Sequence, residues 1–307
     1  MQLWHKMGRI FVPHTDLSWN KSHAMLPTAL QLEKTRYRIF ISGRDGVNRS
    51  LIGYFDIDLK NPKKILHVSK KPVLELGKLG CFDDNGVTPA SIIRNGDRLY
   101  LYYIGWRPRS TTRMSLIAGL AVSDDNGHTF KRQSKAPLLS LTDREPYSIL
   151  TAPWVIHTKS DWKMWYVSGE GWIHEDLPVY NIKFASSRDG IVWQREGRVA
   201  LDFASEDEVA LARPCVLYED GTYKMWFSFK TKTNTYRIGY AESLSGFDFI
   251  RKTNQIKGLE PSPSGWDSEM VEYPCVIKHA ENLFMFYNGN NYGSNGVGLA
   301  VLEAGCG

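Results

Sequence analysis

Long apolar runs are missing from this chain. No stretch approaches the roughly 18 consecutive apolar residues of a membrane-crossing helix, so no membrane span is expected. Charge of one sign is never concentrated: 38 Lys and Arg are interspersed with 33 Asp and Glu, leaving a net charge of +5 without a basic helix, arm or run. Nucleic acid is therefore not an expected partner. Cysteine is scarce, with only Cys81, Cys215, Cys275 and Cys306, and no CxxC or Cys/His spacing suggests zinc. No metal and no cofactor are expected. Cys215 and Cys275 follow Pro214 and Pro274 among apolar neighbours, which points to buried free thiols rather than a disulfide. The opening residues, MQLWHKMGRIFVPH, lack both an apolar signal core and a small-residue cleavage site, so a cytoplasmic location is expected. Helical periodicity is absent as well, which leaves an all-β chain.

What the chain does have is one unit written five times. Segments opening at Met25, Val87, Thr151, Ala212 and Glu272 share a layout in which Pro27, Pro89, Pro153, Pro214 and Pro274 fall 62, 64, 61 and 60 residues apart. Thirteen residues after each proline stands an aromatic: Phe40, Tyr102, Tyr166, Phe227 and Tyr287. A period of this length is the signature of a repeat architecture. Each unit runs from an apolar strand (PCVLY) through a polar turn into an aromatic-rich strand (YKMWF). The turns are Arg94-Asn95-Gly96-Asp97, Lys159-Ser160-Asp161 and Glu219-Asp220-Gly221. A third run rich in small residues follows, such as LIAGLAVS, and then a more polar fourth. The turn SDDNGHTF at Ser123 fits an Asp-box hairpin staple, in which the Asp bonds backbone amides.

Four antiparallel strands in five units predict a five-bladed β-propeller filling one domain, residues 1–307. The blades lie at approximately 22–75, 84–139, 148–201, 209–258 and 270–307. The last unit ends soon after its third strand, and the unassigned segment Gly8 to Pro13 is expected to supply its fourth, closing the ring and removing an exposed edge.

Strand alternation sorts residues by face. The connectors before each proline and the residues after each aromatic run arrive at one face of the ring, and loops on a rigid scaffold are where a site is expected. The connectors bring His23, Asp84, Glu145, Glu208, Arg213, Trp266, Glu269 and Glu272; the returns bring Arg44, Trp106, Arg107, Glu170, Trp172, Lys230 and Asn290. Asp84 and Glu269 both stand five residues before their proline. Arg213 and Glu272 lie where the first strand enters the channel, and a charge there needs a partner or a ligand. The tryptophans Trp106, Trp172 and Trp266 offer plates for the C–H face of a sugar, or for packing.

With these units on the page, the chain resembles the five-bladed propeller glycosidases, the group that includes glycoside hydrolase families 32, 43 and 130. The likeness covers essentially its whole length. Glu272-Tyr273-Pro274 is similar in form to the Glu-Cys-Pro that holds the general acid in family 32, and Arg213-Pro214 is a partial echo of that family's Arg-Asp-Pro. The family's nucleophile motif, Asn-Asp-Pro, is replaced by Met25-Leu26-Pro27. The resemblance implies a pair of carboxylates whose environments push their pKa values apart. Glu269 or Glu272 is then the acid, Asp84 or Glu208 the base or nucleophile, and Arg213 tunes the pair or binds substrate. The remaining candidates, His23, Arg44, Trp106, Arg107, Glu145, Glu170, Lys230, Trp266 and Asn290, would contact substrate.

The expected function is cleavage or transfer of a glycosyl group. Arg44, Arg107, Arg213, Lys230 and His23 together exceed what a neutral sugar needs, which adds an anionic sugar, a sugar phosphate or phosphorolysis as a variant. The alternative is a propeller that binds a glycan or a protein without catalysis.

Overall fold

The computed structural model describes residues 1–158 and 161–303, so Lys159 and Ser160 of the third hairpin turn, Cys306 and the terminal Gly307 lie outside the described residues. The five sequence units become five antiparallel strand groups. Unit one comprises Ser22–Glu33, Arg36–Arg44, Ser50–Asp58 and Ile65–Val68; unit two comprises Val87–Asn95, Arg98–Pro108, Met114–Ser123 and Lys131–Arg132. Unit three is Ile149–His157, Trp162–His174 and Leu177–Ser187, with the short strands Trp193–Gln194 and Val199–Leu201 beside it. Unit four is Glu208–Glu219, Thr222–Thr231, Arg237–Ser243 and Ile250–Arg251. Unit five is Glu272–His279, Asn282–Asn288 and Val297–Leu302. Its outer neighbour is His5–Phe11, which pairs antiparallel with Val297–Leu302. That N-terminal strand starts three residues before the expected Gly8–Pro13 and stops at Phe11, short of Pro13, which cannot donate to a ladder.

The hairpins close as their turn chemistry requires. Asp220 and Gly221, between the paired Glu219 and Thr222, have φ of 50° and 77°, the positive values of a two-residue turn matched to strand twist. In the turn at Ser123, the Asp125 carboxylate accepts from the amides of His128 (3.0 Å) and Thr129 (2.9 Å), as the Asp-box reading predicts.

The first strands of consecutive units pack against one another, one to two through four to five, and the first strand of unit five packs against that of unit one. Side chains stitch these neighbours. Ser91 Oγ donates to the Pro153 carbonyl at 2.8 Å, Trp154 Nε1 to the Val216 carbonyl at 2.9 Å, and Val276 N to Cys215 Sγ at 3.1 Å. Cys215 and Cys275 are buried free thiols.

A staple recurs at the outer end of the connectors. In unit two, Asp83 accepts from Tyr103 Oη (2.8 Å) and Arg132 Nε (2.7 Å); in unit three, Glu145 accepts from Tyr166 Oη (2.9 Å) and Arg195 (2.6 Å). Glu208 holds Arg251 at 2.7 Å in unit four. In unit five, Asp267 accepts from Tyr287 Oη (3.1 Å) and Lys6 (2.8 Å), so the N-terminal strand supplies the cation that the fourth strands of units two and four supply there. Buried carboxylates are tolerated here because each has a charged and hydrogen-bonding partner.

Candidate functional site

At the mouth of the channel every first strand carries a register shift beside its proline. In four units the preceding residue is forced into the left-handed region: Leu26 (φ 51°), Ala152 (47°), Arg213 (50°) and Tyr273 (55°). None is glycine, so each costs on the order of 1–2 kcal/mol. Such strain persists where surrounding contacts over-determine it, and bulges re-aim side chains. Tyr273 is held by its amide, which donates to Ser228 Oγ at 2.7 Å.

Glu272 precedes that bulge and is fully buried. Its backbone pairs with Asn288, whose side-chain amide is consumed by the Leu26 amide and the Ala24 and Gly296 carbonyls. By strict geometry neither carboxyl oxygen of Glu272 meets a donor among the described residues, and the adjacent Tyr273 hydroxyl offers it only a poorly aligned hydrogen bond. Burial pushes this carboxyl well above the usual carboxylate range, and the Tyr273 hydroxyl and then Lys230 oppose the shift only in part. Lys230 is itself lowered, first by burial, while Glu272 raises it and Arg113 lowers it.

Around this pair gather phenols and cations from every unit. Tyr180 and Tyr236 hydrogen-bond through their hydroxyls. The Tyr236 ring lies 5.9 Å from that of Tyr273 and 6.3 Å from that of Tyr292, and Lys230 Nζ sits 5.6 Å from its centroid. Arg44 is lowered by burial and then by Arg113; His23 is lowered to about 4 by burial and then by Arg44. Arg113 tops the second hairpin of unit two, where its amide donates to the Glu175 carbonyl of the neighbouring hairpin at 2.8 Å. Trp106, Trp172, Tyr180 and Tyr273 pack on one apolar cluster with Met25 and Leu26. The mouth thus holds one buried acid, four cationic or imidazole side chains and an aromatic wall.

Of the sequence candidates, this cluster unites Glu272, Lys230, Arg44 and His23, with Trp106 on its wall. The others are engaged elsewhere. Asp84 accepts from the Gly80 amide at 2.7 Å and faces Arg107 at 3.5 Å, which ties both to their own loop. Glu208 is closed by Arg251 and the Ala204 amide, and Glu145 by its staple. Glu170 pairs with Lys183 at 2.7 Å. Glu269 is exposed and its amide is held by Asn290, whose side chain is absorbed by that loop. Trp266 lies over Gly289 and Gly298, where a Cβ would meet its ring, and packs on Tyr287; it is a packing residue. Arg213 crosses the channel to the carbonyls of Ala90 and Pro27 and to Thr28 Oγ1, plugging it from within instead of pairing with a carboxylate. Arg113, Tyr180, Tyr236 and Tyr292 were not anticipated. All stand at or just before the opening of a third strand, or on the loop leading to one, and by the same alternation that opening belongs to the mouth.

The fold is that of the propeller-type glycosidases. A glycoside hydrolase structure aligns at TM-score 0.78 with 17% identity, covering 97% of this chain and 91% of that one. A thermostable family-43 glycoside hydrolase aligns at 0.66 with 16% identity, over 95% and 91%. A structure from the GH130 family of mannoside phosphorylases, described as containing hydrolases that target β-1,2 mannosidic linkages in Candida mannan, aligns at 0.69 with 13% identity, over 96% and 91%. At such identities the likeness is one of fold. No family model matches the chain. It is 43% identical over 302 residues to the uncharacterized proteins MT1551 and Rv1502 of Mycobacterium tuberculosis, covering 98% of this chain and 99% of each of them, and it belongs to their family. Among the described residues no helix is long and apolar enough to cross a membrane.

Proposed function

We propose that this chain is a single-domain, closed five-bladed propeller acting on carbohydrate, in which one carboxylic acid and a bound anion move a glycosyl group. The observation that carries this reading is Glu272: fully buried, in no salt bridge among the described residues, and next to Lys230, which Arg113 in turn reaches as it does Arg44. Like charges gathered around one neutralised acid repel each other, and an anionic ligand relieves that repulsion. Arg and Lys at such a mouth fit a phosphate group.

In this reading Glu272 is protonated at rest because burial disfavours its charge. It donates that proton to the leaving glycosidic oxygen as the bond from the anomeric carbon breaks. A phosphate oxygen held by Arg44, Arg113 and Lys230 forms the new bond to the same carbon from the opposite face. Glu272 is left ionised beside Lys230 and regains, through solvent, the proton that hydrogen phosphate loses on becoming the glycosyl ester, so that glycoside and hydrogen phosphate give free alcohol and glycosyl phosphate. Trp106 and Trp172 carry the apolar face of the sugar. Asp84, Glu208 and Glu269 have no catalytic part.

The test is cleavage of aryl glycosides and of short mannosides by the wild-type chain and by Glu272→Gln, with and without inorganic phosphate. Phosphate-dependent turnover that falls about 10²–10⁴-fold in Glu272→Gln supports the proposal. Turnover indifferent to phosphate, or unchanged by the substitution, overturns it. A second reading, a glycan-binding propeller without catalysis, draws on the engagement of Asp84, Glu145 and Glu208 in salt bridges. Saturable sugar binding with no turnover in either condition would establish that reading instead.

A further inference from the structure

A second set of ring and cationic groups lies far from the mouth. Between units one and two a cleft of about 800 Å³ is bordered by His67, Lys70, Lys71, His128, Lys131 and Arg132. An adjoining cleft of about 430 Å³ shares His67 and His128, so the two form one trough. His128 belongs to the Asp-box turn at the end of the strand Met114–Ser123, whose other end leads from Arg113. Ten residues at about 3.3 Å each put the trough roughly 30 Å from the mouth.

The trough is prearranged. The Tyr54 hydroxyl hydrogen-bonds His128 Nδ1 at 3.1 Å, and the His67 ring lies 5.7 Å from the Tyr54 ring. Arg132 is fixed by Asp83 and by the Glu75 carbonyl at 2.6 Å. Lys70, Lys71 and Lys131 are exposed, and none enters a salt bridge among the described residues. Facing charges are few: Glu75 borders the larger cleft, while on the smaller one Glu33 stands near Arg36 and Asp56 is closed by Arg38 at 2.9 Å. The volume matches that of a small-molecule site rather than a single bare anion. The imidazoles supply hydrogen bonds suited to hydroxyls and the three lysines supply charge, while the Thr129 hydroxyl is spent on Asp125 at 2.6 Å.

We propose that this trough is a second binding site, for a segment of anionic oligosaccharide, distinct from the mouth. It rests on the reading of the chain as a carbohydrate-handling protein only in the choice of a saccharide.

The experiment follows the ring-proton signals of His67 and His128 by NMR, with binding measured by calorimetry. The probes are a heparin-derived hexasaccharide, a neutral dextran of equal length and pyrophosphate. The proposal predicts shifts at both imidazoles with the hexasaccharide, weaker binding of dextran and pyrophosphate, and about tenfold weaker hexasaccharide binding after Lys70→Glu, Lys71→Glu and Lys131→Glu together. All three positions are exposed, so the triple variant keeps its fold, which circular dichroism verifies. Arg44→Ala leaves these shifts in place. Equal affinity for pyrophosphate reduces the trough to a general anion site and overturns the proposal, as does binding indifferent to the three reversals. Because the readout is binding away from Glu272, its failure leaves the glycosyl-transfer reading standing, and loss of turnover in Glu272→Gln leaves this one standing.

Discussion

Glu272 and His23 respond to burial in opposite ways, and stability should record both. Glu272 in the folded chain holds its proton above the ordinary 4.5, so the native state binds more protons than the unfolded one and stability falls as pH rises above about 4.5. His23 is lowered from 6.5 to about 4, so the unfolded state binds more protons between those values and stability rises with pH across that window. Denaturant midpoints measured from pH 4 to 8 should lose their decline in Glu272→Gln and lose the rise between about 4 and 6.5 in His23→Gln. At this scale the sequence supplied much of the cluster: position just before the channel proline marked Glu272, and return position marked Lys230 and Arg44. It could not tell an unpartnered acid from a stapled one, because the partners of Glu145 and Glu208, Arg195 and Arg251, lie about 50 and 43 residues further along the chain.

Among elements, the staples and the bulges divide the work of the connectors. Tyr103, Tyr166 and Tyr287 stand within second strands, and each bonds a connector carboxylate that a cation on or just after an outer strand also holds. Glu145 is the most enclosed, with Tyr166, Ser168 and Arg195 all donating to it. Glu145→Ala strands the buried Arg195, which remains only 7% exposed, and should cost about 3–5 kcal/mol in urea unfolding while leaving ligand binding at the mouth unchanged. A loss below about 1 kcal/mol would mean that the staple is not structural. The bulges were not legible in advance. An X-Pro step reads as extended backbone, and only the tertiary fit around Leu26, Ala152, Arg213 and Tyr273 drives those residues to positive φ. Where Arg213 lands is a consequence of that turn: its guanidinium is aimed across the channel rather than along it.

For the whole molecule, the repeat made an all-β, propeller-like fold readable from spacing, and the N-terminal strand does pair beside the last unit. The period also explains why the site resisted a residue-by-residue reading. The mouth takes Arg44 from unit one, Arg113 from unit two, Tyr180 from unit three, Lys230 from unit four and Glu272 from unit five, so no local motif contains it. The fold resemblance supplied the expectation of two carboxylates, and Asp83, Glu145, Glu208 and Asp267 are instead used to hold strands together. Whether the assembled mouth captures an anion is the central claim, and calorimetric titration of inorganic phosphate tests it most directly. With the trough silenced by reversal of Lys70, Lys71 and Lys131, the account predicts one saturable site that weakens about tenfold or more in each of Arg44→Ala, Arg113→Ala and Lys230→Ala. Phosphate binding that is absent, or that survives all three substitutions unchanged, would contradict it.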